Sequence, residues 1–273
     1  MRILSWNVNG VRAVEKKGFL QWLHTESPDM LCLQETKADP GQLSKELLNP
    51  VDNAGAPYFT YWASAKKKGY SGTAIFSRIE PLATQTLGLS EFDDEGRVLQ
   101  ADYPDFSLIC AYFPNAQERG ARLPYKLAFC AAMLKHCNAL VEQGRHIVLC
   151  GDYNIAHEYI DLARPAENEG NSGFLPEERA WMDVWLASGY IDVFRHFHPD
   201  EAGHYSWWTY RAGARERNVG WRIDYHCVDK DFLPRVEKSV IRSDVFGSDH
   251  CPVEIHLNPS IGLVSGRNSS KSQ

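Results

Sequence analysis

Short apolar runs that end in polar residues recur along the 273-residue chain. The plainest example spans residues 147–150, where four apolar side chains follow Gly144 and stop at Gly151, just before Asp152. An uninterrupted apolar run of this length is typical of a strand that is covered on both faces. The same pattern predicts further strands over residues 3–6, 30–33, 73–76, 98–101, 106–111, 223–228 and 252–257.

Apolar side chains spaced by three and four residues predict helices between these strands. The clearest helix covers residues 123–141, and two more are predicted over residues 18–26 and 176–188. The predicted buried side of the first helix consists of Leu127, Cys130, Leu134, Cys137 and Val141, widened by Met133 and Leu140, and that of the last consists of Trp181, Val184 and Trp185.

The aromatic run YSWWTY, residues 205–210, predicts one more strand. Neighbouring side chains of a strand point to opposite faces. Trp207 and Trp208 should therefore face opposite ways, so that one of them belongs to the core.

Two β-rich halves with helices around them predict two sheets packed face to face and flanked by helices. We expect residues 1–258 to form one domain. From Pro259 the chain turns to Ser, Gly, Asn and Lys, and this composition predicts a disordered tail over residues 259–273.

The composition is that of an ordinary globular protein, with 44% hydrophobic and 23% charged residues. No run resembles a membrane span, and the first ten residues do not resemble a signal peptide, so we expect a cytoplasmic protein without a membrane partner. Seven cysteines without a C-x-x-C pair favour free buried thiols over disulfides or a zinc site.

The formal net charge of −6 weighs against a nucleic-acid partner, because such proteins usually carry a basic surface. A binding face can still be locally basic. Two basic clusters leave that open, namely Lys66–Lys68 and the group Arg211, Arg215, Arg217 and Arg222.

Polar residues at the ends of the predicted strands are the candidates for chemistry. Each alone is more often a turn or helix cap, but their joint occurrence indicates a site. The set is Asn7, Asn9, Glu35, Tyr112, Asp152, Asn154, Asp224, Asp249 and His250. Carboxylates and amides without a cysteine or histidine cluster suit a hard cation such as Mg²⁺. With a histidine and a central acid, they predict phosphodiester hydrolysis.

Nine motifs in order support a resemblance: WNVNG, LQETK, GYSG, EGR, YFPN, GDYNIAH, NSGFLPEER, NVGWRIDY and SDHCP. Together they resemble the exonuclease III/AP endonuclease family of the endonuclease/exonuclease/phosphatase superfamily, closest to its eukaryotic-type and archaeal branch. The resemblance implies a four-layer α/β sandwich. It also implies Mg²⁺-dependent cleavage of duplex DNA 5′ to abasic sites by a monomer, with 3′→5′ exonuclease and 3′-end cleaning as further activities.

The resemblance assigns metal binding to Glu35, with Asn9 and Asp249 as secondary ligands and Mn²⁺ as a substitute for Mg²⁺. Many members of that family have an acid where this chain has Asn9, which leaves the number of metals open. Asn7 is expected to support the metal or the histidine.

The resemblance makes Asp152 the acid that activates water and Asn154 the residue that holds it. His250, oriented by Asp224, is expected to contact the scissile phosphate. Tyr112 is expected to hold a phosphate oxygen, although its phenolate is an alternative base, and the sequence leaves these two readings open.

Three residues match the walls of a pocket for an extruded, base-less sugar: Trp207, Trp221 and Ile223. The remaining matches to DNA-contacting positions are Tyr70, Asn115, Arg122, Asn168, Asn171 and Arg211. Arg215 and Arg217 fit phosphate contacts and a solvated charge cluster equally well.

Two other functions are weighed against this one. A relative acting on a different phosphoester, such as a phosphoinositide, a sphingomyelin or RNA, is disfavoured by the YSWWTY and NVGWRIDY motifs. A catalytically silent DNA-binding module should lack at least one of Glu35, Asp152, Asp224 and His250, and all four are present.

Overall fold

Two six-stranded sheets form the centre of the computed structural model, which describes residues 1–258. The predicted tail therefore lies outside the described residues. The strands are β1 (Arg2–Asn7), β2 (Met30–Gln34), β3 (Phe59–Ala63), β4 (Thr73–Ser77), β5 (Ala83–Gln85), β6 (Val98–Asp102), β7 (Ser107–Tyr112), β8 (Ile147–Asp152), β9 (Tyr190–Asp192), β10 (Asp224–Asp229), β11 (Val236–Ile241) and β12 (Val253–Leu257).

Helices surround the sheets. They are α1 (Val11–Glu15), α2 (Phe19–Glu26), α3 (Lys45–Leu48), α4 (Ser90–Asp93), α5 (Leu123–Glu142), α6 (Pro165–Asn168), α7 (Pro176–Ala187) and α8 (Val193–Phe197). Short 3₁₀ turns complete the regular structure. Within residues 1–258, no helix is long and apolar enough to cross a membrane.

Both sheets mix parallel and antiparallel pairs. The first has the order β11-β12-β1-β2-β4-β3, and the second has the order β5-β6-β7-β8-β10-β9. Apolar side chains from both sheets, such as Ile3, Cys32, Leu108 and Val148, share one buried cluster between them. The predicted α/β fold of two packed mixed sheets flanked by helices is confirmed.

The two parallel pairs place the polar strand ends side by side. Asn7 is in register with Gln34 at the end of β1 and β2, and Tyr112 is in register with Asp152 at the end of β7 and β8. The carboxyl ends of parallel strands meet at one edge of a sheet, where α/β proteins usually bind ligands. This edge therefore positions the candidate site.

The strong helices are confirmed, but their buried sides differ from the prediction. In α5 Met133 and Leu140 are buried as predicted, but the buried face also includes Lys126 and Phe129, whereas Val141 is exposed. In α7 Val184 is half exposed, although Trp181 and Trp185 are buried as predicted. Lys126 can be buried because it has a buried ionic partner, Glu178, which an apolar pattern cannot reveal.

Residues 205–210 are not a strand, which corrects the prediction. This segment makes only single bridges, from Trp207 to Trp221 and from Trp207 to His250. The main-chain N–H groups of Ser206 and Trp207 both donate to the Trp221 carbonyl, so no regular ladder can continue. Trp208 is buried while Trp207 is partly exposed, as the alternation predicted.

The pattern also missed several short elements, including α1, β3, β5, β9 and β11. All seven cysteines are free and buried, which confirms the prediction of reduced thiols.

Candidate active site

Asp152 lies at the end of β8, and three hydrogen bonds hold its carboxylate. The main-chain N–H of Asn154 donates to Oδ1 at 2.8 Å, and the Asn154 side-chain amide donates to Oδ2 at 3.1 Å. Asn7 donates its side-chain amide to Oδ2 at 2.8 Å. Asn154 adopts a left-handed backbone conformation (φ 52°), which Asn tolerates better than most residues and which turns its side chain back toward Asp152.

Burial raises the pKa of Asp152 to about 7, and the nearby carboxylates of Asp224 and Glu35 act in the same direction. The carboxylate is only 1% exposed. A carboxylate with a pKa near neutrality is about half ionised at pH 7 and can act as a general base that accepts a proton from water.

The His250 ring lies between the carboxylates of Asp224 and Asp152. Its Nδ1 atom lies 2.8 Å from Oδ2 of Asp224, and its Nε2 atom lies 3.9 Å from Oδ2 of Asp152. Ser206 donates its hydroxyl to the same Asp224 oxygen at 2.7 Å. Burial opposes the charged ring, but the carboxylates of Asp224 and Asp152 raise the pKa of His250 to about 10. The imidazole is therefore a fixed cation at neutral pH.

Glu35 follows β2 in a left-handed backbone conformation (φ 51°). Its Oε1 atom accepts hydrogen bonds from the Asn7 amide at 3.0 Å and from the Tyr112 hydroxyl at 2.9 Å. Its Oε2 atom lies 2.7 Å from Nζ of Lys37. Burial pushes the pKa of Glu35 upward, but Lys37 and Asn7 bring it below its usual value, so Glu35 stays ionised.

Asn9 and Asp249 form a second polar pair in which Asn9 donates to Oδ1 of Asp249 at 2.9 Å. The Asn9 carboxamide oxygen accepts a hydrogen bond from Lys37 at 2.5 Å, and Trp207 donates its indole N–H to Oδ2 of Asp249 at 3.2 Å. Lys37 thus bridges Glu35 and Asn9 as an internal cation, and sequence reasoning missed it.

Tyr112 donates to Glu35 and is itself positioned by Arg97. The Arg97 guanidinium lies 5.0 Å from the centre of the Tyr112 ring and donates to the Tyr112 carbonyl at 3.0 Å. Burial and the charge of Glu35 raise the pKa of Tyr112 well above its usual value. The phenol therefore keeps its proton. Arg97 was missed because a buried arginine is indistinguishable from a surface one in sequence.

Two groups of carboxylate and imidazole side chains in residues 1–258 have their ligand atoms within 4.8 Å of one another. One is Asp152, Asp224 and His250, and the other is His157, Glu158 and Asp183. In the first group, the cationic ring of His250 is hydrogen-bonded to Asp224 and lies 3.9 Å from Asp152, and the second group lies largely at the surface. Glu35 belongs to neither group, but it lines the same pocket as Asp249.

A pocket of about 270 Å³ opens directly over Asp152. Its lining consists of Glu35, Tyr112, Asn115, Asp152, Asn154, Asn171, Ser172, Gly173, Trp207, Trp221, Ile223, Asp249 and His250. The rings of Trp207 and Trp221 stand at 90° with centroids 6.2 Å apart. The pocket therefore combines a charged floor with an aromatic wall. Asn7 and Asp224 lie behind this lining, each bonded to a residue that reaches it.

Side-chain hydrogen bonds connect the loops that line the pocket. Ser172 donates to Oδ1 of Asn115 at 3.1 Å, and Asn115 donates to Oδ1 of Asn154 at 2.9 Å. Asn171 is exposed and donates to Oδ1 of Asn168 at 3.2 Å. Ser172 is a pocket residue that the sequence analysis did not include.

Tyr70 and Arg122 lie together outside the pocket. The Tyr70 hydroxyl accepts hydrogen bonds from Arg122 at 2.6 Å and from Arg97 at 3.0 Å. Glu95 accepts from Arg122 at 2.8 Å. Tyr70 therefore contacts both Arg122 and Arg97, and Arg97 in turn contacts Tyr112. These hydrogen bonds connect the two predicted DNA contacts to the candidate site.

The basic cluster near residue 215 divides into exposed and buried members. Arg211 and Arg217 are exposed. Arg215 donates to the carbonyls of residues 243, 245 and 248 and lies over the rings of Trp208 and Phe246. Arg222 is fully buried in ion pairs. Arg215 and Arg222 therefore serve the structure of this region.

Comparisons with known proteins agree with the motifs. A model of the endonuclease/exonuclease/phosphatase family matches residues 4–250. The chain belongs to this family. It is 45% identical over 260 residues to the exodeoxyribonuclease of Bacillus subtilis, an alignment that covers 94% of this chain and 100% of the relative. It is 44% identical to the DNA repair nuclease APEX1 of Danio rerio, covering 94% of this chain and 82% of the relative.

Solved structures of the family superpose closely on the fold. The AP endonuclease LMAP of Leishmania major aligns with a TM-score of 0.83 at 29% identity, covering 94% of this chain and 88% of the other. An AP endonuclease of Archaeoglobus fulgidus aligns with a TM-score of 0.81 at 28% identity, covering 95% and 100%. The resemblance stated from the motifs is thereby confirmed.

Proposed function

We propose that this protein is a Mg²⁺-dependent DNA repair nuclease that hydrolyses the phosphodiester 5′ to an abasic site in duplex DNA and leaves a 3′-hydroxyl. The observation that supports this best is the pairing of Asp152 with a cationic His250, Nε2 to Oδ2 3.9 Å, at the floor of an aromatic-walled pocket. The relatives of this family include proteins named as AP endonucleases and as exodeoxyribonucleases.

Asp152 activates the attacking water in this proposal. Its pKa of about 7 suits a general base at neutral pH, and Asn7 and Asn154 fix the direction of its oxygens. Tyr112 is the less suitable base because its raised pKa keeps the phenol protonated at neutral pH. We assign Tyr112 a donor role, toward Glu35 in this structure and toward a phosphate oxygen when DNA is bound.

His250 binds the scissile phosphate as a cation. Asp224 holds the Nδ1 side of the ring, so Nε2 points toward Asp152 and the pocket. A positive charge fixed in a buried site stabilises the negative charge that develops on the phosphoryl oxygens. Ser206 supports this arrangement by donating to Asp224.

The donor set fits a hard divalent cation. Glu35 and Asp249 are ionised carboxylates that line one pocket, and both have a pKa below the usual value although burial opposes this. We propose these two as the ligands of Mg²⁺, for which Mn²⁺ can substitute. Asn9 can join them only if Lys37 leaves its carboxamide oxygen. A bound Mg²⁺ would neutralise charge on the phosphoryl oxygens.

The pocket selects the abasic nucleotide. Its volume of about 270 Å³ is small, and the rings of Trp207 and Trp221 with Ile223 form an apolar wall. A base-less sugar costs least to extrude from a duplex, and a sugar that keeps its base does not fit such a wall. The remaining proposed DNA contacts outside or at the edge of the pocket are Tyr70, Asn115, Arg122, Asn168, Asn171 and Arg211.

A second activity at the same site, 3′→5′ exonuclease with 3′-end cleaning, is favoured by the names of several family members. These include exodeoxyribonucleases and a 3′-5′ exonuclease of Neisseria meningitidis. A frayed 3′ end presents a phosphodiester to the same carboxylate and imidazole. We further propose that the protein acts as a cytoplasmic monomer on duplex DNA.

A duplex with one tetrahydrofuran abasic analogue, labelled at either end, tests the main proposal. We expect one incision 5′ to the analogue, a product with a 3′-hydroxyl, no cut in the matched undamaged duplex, and complete loss of cleavage with EDTA. Cleavage on the 3′ side, or cleavage that EDTA does not affect, would contradict it. Degradation of the undamaged duplex from its 3′ ends measures the second activity.

A further inference from the structure

Lys126 and Glu178 form an ion pair that lies wholly inside the protein. Lys126 comes from α5 and Glu178 from the first turn of α7, and both side chains are 0% exposed. The Nζ atom lies 2.6 Å from Oε1. Neither residue lines the pocket, and neither was a candidate from the sequence.

The pair holds the main chain of two loops that form the site. Lys126 also donates to the carbonyl oxygen of Asn154 at 2.6 Å. The second carboxylate oxygen of Glu178 accepts the N–H groups of Gly173 at 2.7 Å and Leu175 at 3.0 Å. Three main-chain groups near the pocket are therefore bonded to one buried pair.

Both loops contact residues of the pocket. Asn154 makes two of the three hydrogen bonds that hold Asp152. Gly173 packs so closely that an added Cβ would lie 3.1 Å from the Trp221 ring and 3.3 Å from the Asn154 carbonyl oxygen. A hydrogen bond of 2.8 Å from the Ala156 N–H to the Gly173 carbonyl joins the two loops directly. Movement of either loop would thus displace both Asp152 and the pocket wall.

We infer that the Lys126–Glu178 pair is a positioning device that sets the geometry of Asp152 and Trp221 for catalysis. This inference rests on the proposed function. Buried ion pairs are seldom more stabilising than apolar residues of the same volume. An apolar pair here, however, would leave two buried main-chain groups and one partly buried main-chain group without these partners. The pair acts through Asn154 and Gly173 and does not touch the substrate.

Single-turnover kinetics on the abasic duplex at saturating Mg²⁺ test the inference with Glu178→Gln, which preserves shape, and Lys126→Met. We expect the rate constant of the folded enzyme to fall at least tenfold in both, and Lys126→Arg to recover most of it. A purely structural role would lower the melting temperature and the active fraction, but it would leave the single-turnover rate constant unchanged. If Lys126→Met does not fold, Glu178→Gln decides the outcome.

Glu254→Gln is the matched control. Glu254 is a buried carboxylate, 2% exposed, that pairs with Arg2 and Arg242 and contacts neither loop. We expect this variant to lose stability while its single-turnover rate constant stays within twofold of the wild type. A tenfold loss in Glu254→Gln would overturn the inference, because the effect would then follow from any buried charge.

Hydrogen–deuterium exchange followed by mass spectrometry gives a second readout that needs no activity. We expect peptides spanning residues 152–156 and 171–175 to exchange faster in Glu178→Gln and at wild-type rates in Glu254→Gln. Wild-type exchange in both segments of Glu178→Gln would overturn the inference. A wild-type protein that leaves the abasic duplex intact would instead refute the proposed function, and exchange would still decide the role of the pair.

Discussion

The Nδ1 atom of His250 lies 2.8 Å from the Oδ2 atom of Asp224, and both side chains are buried. This contact orients the imidazole and stabilises its charged form. Replacing Asp224 by Asn removes the charge while preserving the shape. We expect turnover on an abasic duplex to fall about 100-fold, in the range typical for loss of one charge-dependent catalytic group. Steady-state kinetics at pH 7 measure this.

Ser206→Ala is the control for that experiment, since it removes the hydroxyl that donates to Asp224 and accepts the main-chain N–H groups of Ile223 and Asp224, but leaves the carboxylate. It should cost about tenfold or less, in line with the roughly 1 kcal/mol of a typical hydrogen bond. Turnover of Asp224→Asn within threefold of the wild type would contradict the role of Asp224.

Asp152→Asn should reduce turnover by several orders of magnitude. General-base catalysis and water positioning each contribute about 10²-fold or more, and Asp152 serves both in the proposed reaction. The measurement is single-turnover incision. Asp183→Asn, which alters an exposed carboxylate bonded to His157, should retain wild-type activity. An Asp152→Asn variant within tenfold of the wild type would exclude Asp152 as the base.

Glu35→Ala should raise the Mg²⁺ concentration required for half-maximal activity by about tenfold or more, because the cation loses a charged ligand. A magnesium titration of incision rate measures this. Asp94→Asn, a change at a half-exposed carboxylate paired with Lys66, serves as the control. An unchanged titration in Glu35→Ala would argue that the metal binds elsewhere, with the Asp152, Asp224 and His250 group as the alternative.

Arg122→Ala should weaken DNA binding and make it less sensitive to salt. Each phosphate contact contributes about 0.9 to the slope of log affinity against log salt concentration, so loss of one contact should reduce the slope by about 1. Fluorescence anisotropy between 50 and 200 mM salt, roughly the range in which such slopes are measured, gives the value. Arg78→Ala, which removes a partner of Asp52, is the control. An unchanged slope would remove Arg122 from the interface.

His226 should make the fold sensitive to acid. Burial lowers its pKa to about 3, and neither ring nitrogen has a hydrogen-bond partner among residues 1–258. In the unfolded chain a histidine titrates near pH 6.5, so below about this pH the unfolded state binds a proton that the folded state does not bind. Stability is therefore lost as the pH falls from about 6.5 toward 3, at up to about 1.4 kcal/mol per pH unit.

His226→Leu removes this titration. The difference in free energy of unfolding, variant minus wild type, should be about 2 kcal/mol more positive at pH 5 than at pH 7.5. Urea titrations at both pH values measure it. Equal pH dependence in the two proteins would indicate that His226 is protonated in the folded state.

The strand ends show what local pattern can determine. Apolar runs that stop at Asn7 and Asp152 predict strands whose carboxyl ends bear polar groups, because a buried strand is visible as a short run of apolar residues. Motif spacing then predicts the family and the fold. Local pattern also predicts that Trp207 and Trp208 face opposite ways, since neighbouring side chains of an extended segment point in opposite directions. The structure then shows that Trp208 is the core residue and that Trp207 lines the pocket.

Partners distant in the chain lie beyond local pattern. Lys37, Arg97, Lys126 and Glu178 resemble ordinary surface charges in the sequence, yet each supports the site through a specific contact. The buried face of α5 was predicted around Leu127 for the same reason, because a lysine counts as exposed until its partner is known.

By itself, the sequence determined the family, eight of the strands in their order along the chain, and the identity of the residues at their ends. Only the tertiary structure decided that Lys37 bridges Glu35 and Asn9, that Asp152 has a pKa near 7, and that Lys126 is buried. The physical reason is that electrostatic free energy depends on distance and burial. Both quantities are set by packing between segments that lie far apart along the chain.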